Sequence, residues 1–107
     1  MTTFDNREQA FENQFSRDEE VRFKIAARRN RLLGVWASEL MGLTPAEADG
    51  YARDVVHSDF EEAGDKGVVR KLLGDLTSAG VDIDEARIRA ALDEKEIEAR
   101  RQLMEGI

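Results

Sequence analysis

The chain's single proline stands in GLTPAEADG, three residues after Gly42, and it fixes more of the fold than any other position. Proline fits the first turn of a helix but not its interior, because it lacks the N–H donor and its ring clashes with the preceding turn. Thr44 before it and Glu47 three residues after the Thr complete a capping box. A helix is therefore predicted to start near residue 45, and the preceding one to end at Gly42. The same kind of start recurs in GVDIDEA, where Asp82 reads as the cap and Glu85 lies three residues on.

Apolar spacing fills in the helices between these marks. Before Gly42, a core-facing stripe runs from Val21 through Ile25, Leu32, Leu33, Trp36, Ala37, Leu40 and Met41. Ala48, Ala52, Val55, Val56, Phe60 and Ala63 follow at three- and four-residue spacing, with Gly64 placed to end that helix in a left-handed cap. Val68, Leu72, Leu76 and Val69, Leu73 give two rows of a third helix closing at Gly80; Gly74 inside it weakens the helix or lets a neighbour approach. Ile88, Ala91, Leu92, Ala99 and Leu103 line the last, whose charged stretch DEKEIEARRQ is expected to face water. Trp36 and Tyr51 read as core residues. Short connections suit antiparallel neighbours, and no strand alternation, repeat or long heptad seam competes, so the expected fold is all-α: a small four-helix bundle, one domain of 107 residues.

The segment FDNREQAFENQF stands apart. Phe4, Phe11 and Phe15 fall within roughly 40° of one another around a helix, while the other faces are nearly all polar. A helix of about 12 residues with one aromatic stripe is marginal alone in water, so the segment reads as a mobile or partly helical arm that folds on binding. The nearest break between it and the bundle is Ser16 with Asp18, Glu19 and Glu20, which offers a fresh helix start.

Charge narrows the function. The net charge is −7, with seven basic and six acidic residues in 1–31 against nine and seventeen in 32–107. The acidic balance disfavours non-specific binding to nucleic acid or anionic lipid. The basic run RFKIAARRNR, with Arg22, Lys24, Arg28, Arg29 and Arg31, has three readings: a nucleic-acid or other regulatory face, a solvated helix face or set of ion pairs with the acidic helices 2 to 4, or a protein interface beside the aromatic arm.

Catalytic constellations are absent from the sequence. Asp54, His57 and Glu61 share a helical face, but such spacing is ordinary in so acidic a chain and no second cluster completes a bundle metal site. His57 is better read as a surface histidine near an acid. DIDEA and DFEEAGD depart from the calcium-loop pattern, and GDKG has neither the spacing nor the preceding strand of a phosphate loop. No enzyme, cofactor or metal is expected. The absence of Cys, of an apolar run of about 18 residues and of a signal-peptide start points to a cytoplasmic protein without membrane insertion.

Three blocks, TTFDNREQAFENQFSRDEEVRFKIAARRNRLLGVWASELMG, YARDVVHSDFEEAG and VVRKLLGDL, resemble the ATPase inhibitor subunit zeta of alphaproteobacterial F-type ATP synthases nearly from end to end. The most specific parts are FxxRExAFExxF and FKxxARRNxLLGxW. The resemblance implies a four-helix bundle at 19–107 and a mobile N-terminal inhibitory segment at 1–18. This segment would become helical at an alpha/beta catalytic interface beside the gamma subunit and block the rotation that hydrolysis requires. It implies partners in the alpha, beta and gamma subunits of the catalytic head, a location at the cytoplasmic face of the inner membrane when bound, and a free monomer. Carried onto this chain, the motif supplies Phe4, Arg7, Glu8, Phe11, Glu12 and Phe15, the Phe residues as apolar anchors and the others as polar orienters. Phe23, Lys24, Ala27, Arg28, Arg29, Asn30, Leu32, Leu33 and Trp36 would join arm to bundle. The chain departs from the pattern at Asn6, where an acid is expected, and at DKG before Val68; neither removes an aromatic anchor.

Overall fold

The computed structural model describes residues 3–61 and 65–105, with side chains for 18–58 and 65–105. Four helices follow in order: α1 (Thr3–Met41), α2 (Pro45–Glu61), α3 (Lys66–Ser78) and α4 (Glu85–Glu105). α1 packs against all three others, α2 and α4 flank it, and α3 closes the bundle between them. The core joins Leu33 and Ala37 of α1 to Val55, Val68, Val69, Leu72, Leu76, Ile88, Ala91 and Leu92, with Trp36 and Tyr51 packed against its margin.

The start and stop signals act as their chemistry requires. Thr44 N–H donates to Glu47 Oε1 at 2.9 Å and Glu47 N–H donates to Thr44 Oγ1 at 3.2 Å, the reciprocal bonds of a capping box. Those bonds, the backbone one first, hold the exposed Glu47 carboxyl below its ordinary value. Gly42 and Gly80 take the left-handed conformation at φ 71° and 82° that ends α1 and α3. The cap of α4, however, is Asp84 and not Asp82: Asp84 Oδ1 accepts from Arg87 N–H at 2.9 Å. With the helix starting at Glu85, Asp82 lies too far upstream to reach an orphan donor. Gly64, Phe60 and Ala63 carry sequence expectations that lie outside the described side chains or residues.

Three further expectations change. α1 is one helix: Ser16 and the acids after it do not start a new one, and with no proline and a single glycine the run contains nothing that breaks the backbone. Val21 and Leu40, expected in the core, are each 44% exposed. At 39 residues α1 outruns its 21-residue neighbour α4 at both ends: Gln102 meets Arg28 and Arg87 meets Trp36, leaving Val21 and Leu40 beyond those contacts. The close helix approach is at Gly34, where an added Cβ would lie 2.6 Å from the Ala52 Cα, whereas nothing stands within 4 Å of one added at Gly74. A side chain at Gly34 would hold α1 and α2 apart.

Candidate partner-binding site

The expected partner-binding residues lie along α1, and the structure sorts them into two groups. Phe4, Arg7, Glu8, Phe11, Glu12 and Phe15 fall within the helical backbone of α1, but their side chains lie outside the described ones. Arg22, Lys24, Arg28 and Arg29 are described, and they differ sharply from one another.

Arg22, Lys24 and Arg28 are exposed. Lys24 pairs with Glu20 one turn earlier at 3.7 Å, a solvated contact of small energetic consequence. Arg28 donates to Gln102 of α4 at 3.0 Å. Beside them Phe23 is 56% exposed. A groove of about 380 Å³ opens here between α1 and the far ends of α2 and α4, lined by Phe23, Lys24, Arg28, Val56 and Leu103. The exposed turns of α1 beside this groove thus combine apolar surface with positive charge.

Arg29 turns inward. It is 5% exposed, and its guanidinium reaches Asp65 Oδ1 at 3.1 Å, Glu96 Oε1 at 3.4 Å and, through Nε, Asn30 Oδ1 at 3.0 Å. One buried cation thereby ties α1 to the start of α3 and to the middle of α4. Asn30 is fully buried, and its Nδ2 has no partner among the described residues. Arg31, further along the same run, is also internal in its allegiance: Asp49 accepts from it at 2.9 Å and from Arg53 at 2.8 Å. These cations, Arg31 first, hold the Asp49 carboxyl below its ordinary range. The ion-pair reading of the basic run therefore applies to Arg29 and Arg31, while Arg22, Lys24 and Arg28 remain outward. The signal for Arg29 was present in the sequence: at about 100° per residue it sits one turn from Ile25 and from Leu33 on the core-facing stripe.

On the other side of the bundle, Tyr51 Oη donates to Asp75 Oδ2 at 2.7 Å, Lys71 donates to the same oxygen at 3.1 Å, and the Lys71 ammonium stands 5.2 Å from the Tyr51 ring centroid. Burial first, and the Asp75 bond second, push the Tyr51 phenol well above its ordinary value. The Arg87 guanidinium lies 5.3 Å from the Trp36 ring. Both aromatic residues serve packing. Asp54 and His57 are exposed on α2, and Glu61 lies outside the described side chains. Among the described residues no three His, Asp or Glu side chains are grouped to hold a metal ion, and no helix is long and apolar enough to cross a membrane.

Comparison with known proteins assigns this arrangement. A search of curated proteins finds no match. One solved structure, titled "Solution NMR structure of the protein", superposes with a TM-score of 0.70 at 45% sequence identity, over 79% of this chain and 96% of its own. The family model for the ATPase inhibitor subunit zeta matches residues 1–102, spanning both the aromatic N-terminal motif and the bundle. The chain belongs to the ATPase inhibitor subunit zeta family.

Proposed function

We propose that this protein inhibits ATP hydrolysis by an F-type ATP synthase by placing residues 1–18, as the leading turns of α1, at an alpha/beta catalytic interface of the soluble head beside gamma. The observation that carries this reading is the continuity of α1. A single helix leads from the FDNREQAFENQF motif into the bundle, where it is the element that packs against every other helix. At about 1.5 Å per residue, α1 extends roughly 58 Å, long enough to set its first turns well apart from the bundle that holds its other end.

In this mechanism the protein performs no chemistry. Phe4, Phe11 and Phe15 bury their rings against the head, and Arg7, Glu8 and Glu12 orient the helix. Arg22, Lys24 and Arg28 meet the rim of the same surface as α1 leaves it. Arg29 acts one step back, by fixing α1 against α3 and α4 so that the bundle and the arm move as one body. Because the arm binds one rotary state far better than the others, it shifts the population toward a halted enzyme. The bundle stays outside the head, at the cytoplasmic face of the inner membrane.

The test is hydrolysis of ATP by the isolated head with added full chain, with a chain lacking residues 1–18, and with the Phe11→Ala and Phe15→Ala variants. The full chain should inhibit, the truncated chain should not, and each variant should need at least tenfold more protein. Full inhibition by the truncated chain contradicts the reading. A regulatory role on nucleic acid through 22–31 is the weaker alternative, since Arg29 is buried in the bundle and Arg31 is paired at the surface with Asp49. Binding to an oligonucleotide that persists at physiological salt would favour it.

A further inference from the structure

The side of α4 that faces away from the bundle carries the two most exposed large apolar residues described: Ile97, 70% exposed, and Met104, 77% exposed, one heptad apart. At about 100° per residue they share a strip with Ala90, Asp93, Glu94, Arg100 and Arg101, all exposed and opposite the buried Ile88, Ala91 and Ala99. Most charged side chains on the inner and flanking faces of the bundle are paired, including Glu96 with Arg29, Lys95 with Glu98 and Arg89 with Glu85. Asp93, Glu94, Arg100 and Arg101 form no ion pair within 4.0 Å among the described residues; the two acids precede Ile97 and the two arginines follow it.

Their order is that of a two-fold. In an antiparallel pair of α4 helices crossing at Ile97, the two-fold keeps each edge of the strip on its own side, so Arg101 meets Glu94, Arg100 meets Asp93, Met104 meets the small Ala90, and Ile97 meets itself. Each of these contacts except that of Ile97 is made twice, and each of the four charges Asp93, Glu94, Arg100 and Arg101 finds an opposite charge on the other chain. A parallel pairing in register would instead oppose like charges. We propose that α4 is an isologous self-association surface, through which two copies of this chain pair antiparallel by the strip Ala90, Asp93, Ile97, Arg101 and Met104, with Glu94 and Arg100 at its edges. A single helix-to-helix contact falls below the roughly 1,200 Å² of a standard interface, so the dimer is weak and the free monomer predominates in dilute solution. The strip lies opposite the face of α4 that packs on α1, so pairing and the bundle are compatible.

The test is sedimentation velocity of the full chain from roughly 10 μM to roughly 1 mM, a range that covers weak association. Wild type should shift from monomer toward dimer. R100E/R101E and D93R/E94R should each stay monomeric throughout, because each opposes like charges across the two-fold. Mixed in equal amounts, these two variants should form a heterodimer, since every pair is then again opposite in sign. I97D should also abolish pairing, and circular dichroism confirms that each variant folds, as the replaced side chains are exposed. A wild type that remains monomeric at the highest concentration, variants that associate like wild type, or a mixture that fails to pair would each overturn the proposal. If wild type never dimerises and R100E/R101E no longer inhibits the ATPase, the strip belongs to the contact with the enzyme head and self-association is likewise overturned.

Discussion

Replacing Arg29 by Met removes the guanidinium while keeping a side chain of similar length, and it isolates what the buried cation contributes. The two carboxylates it contacts are 46% and 38% exposed, so water takes over their solvation and each lost ion pair counts for about 0–1 kcal/mol. Asn30 is the larger loss. It is fully buried, its Nδ2 already has no partner among the described residues, and Arg29 Nε is the donor to its Oδ1. An orphaned buried acceptor costs about 1–3 kcal/mol, partly offset because a buried charge no longer has to be desolvated. The expected net loss is about 2 kcal/mol, or roughly 8–16 °C in melting temperature for a domain of this size. The assay is urea and thermal unfolding followed by far-ultraviolet circular dichroism, run as a cycle with Asn30→Leu. Arg29→Met combined with Asn30→Leu should regain most of the loss, because both polar partners are then gone, giving a favourable coupling of at least about 1 kcal/mol. A single variant as stable as wild type, or a double variant whose loss is the sum of the singles, would refute this reasoning.

Other consequences are checked by the same unfolding measurements. Gly34→Ala places a Cβ 2.6 Å from the Ala52 backbone, so α1 and α2 must separate; the overpacking cost of about 1–3 kcal/mol should exceed the gain of about 1 kcal/mol in helix propensity. Gly74→Ala, with open space around it, should stabilise by up to about 1 kcal/mol. Asp84→Ala should lose about 1 kcal/mol as the cap of α4 disappears, while Asp82→Ala should be nearly silent. Tyr51 has a phenol raised in the folded state, so its contribution is complete below the unfolded value of about 10 and is lost as pH climbs from there toward the folded value. Tyr51→Phe should be less stable than wild type near neutrality, and the gap should shrink above about pH 10; a gap that widens there contradicts the sign.

Sequence and structure agree where the signal is local. The capping box at Thr44 and Glu47 and the left-handed ends at Gly42 and Gly80 are legible because each depends on a few neighbouring residues. The apolar rows of α3 are legible for the same reason, with Val68, Val69, Leu72 and Leu76 all buried. What escapes is whatever depends on the neighbour's position. Gly34 and Gly74 look alike in sequence, and only the approach of Ala52 separates them. Val21 and Leu40 keep the right period, yet the shorter α4 leaves them uncovered. In the candidate site, the basic run 22–31 has one composition and two fates, decided by the acids Asp65, Glu96 and Asp49 that the other helices bring against Arg29 and Arg31.

The most direct test of the account follows where the leading turns of α1 go. A photo-reactive side chain introduced at Phe11, in full-length protein mixed with the head during ATP hydrolysis, should form covalent adducts with alpha or beta and should do so in step with the loss of activity. Inhibition that proceeds with no adduct from position 11, while a probe at Ile97 on the far side of the bundle cross-links to the head, would contradict it.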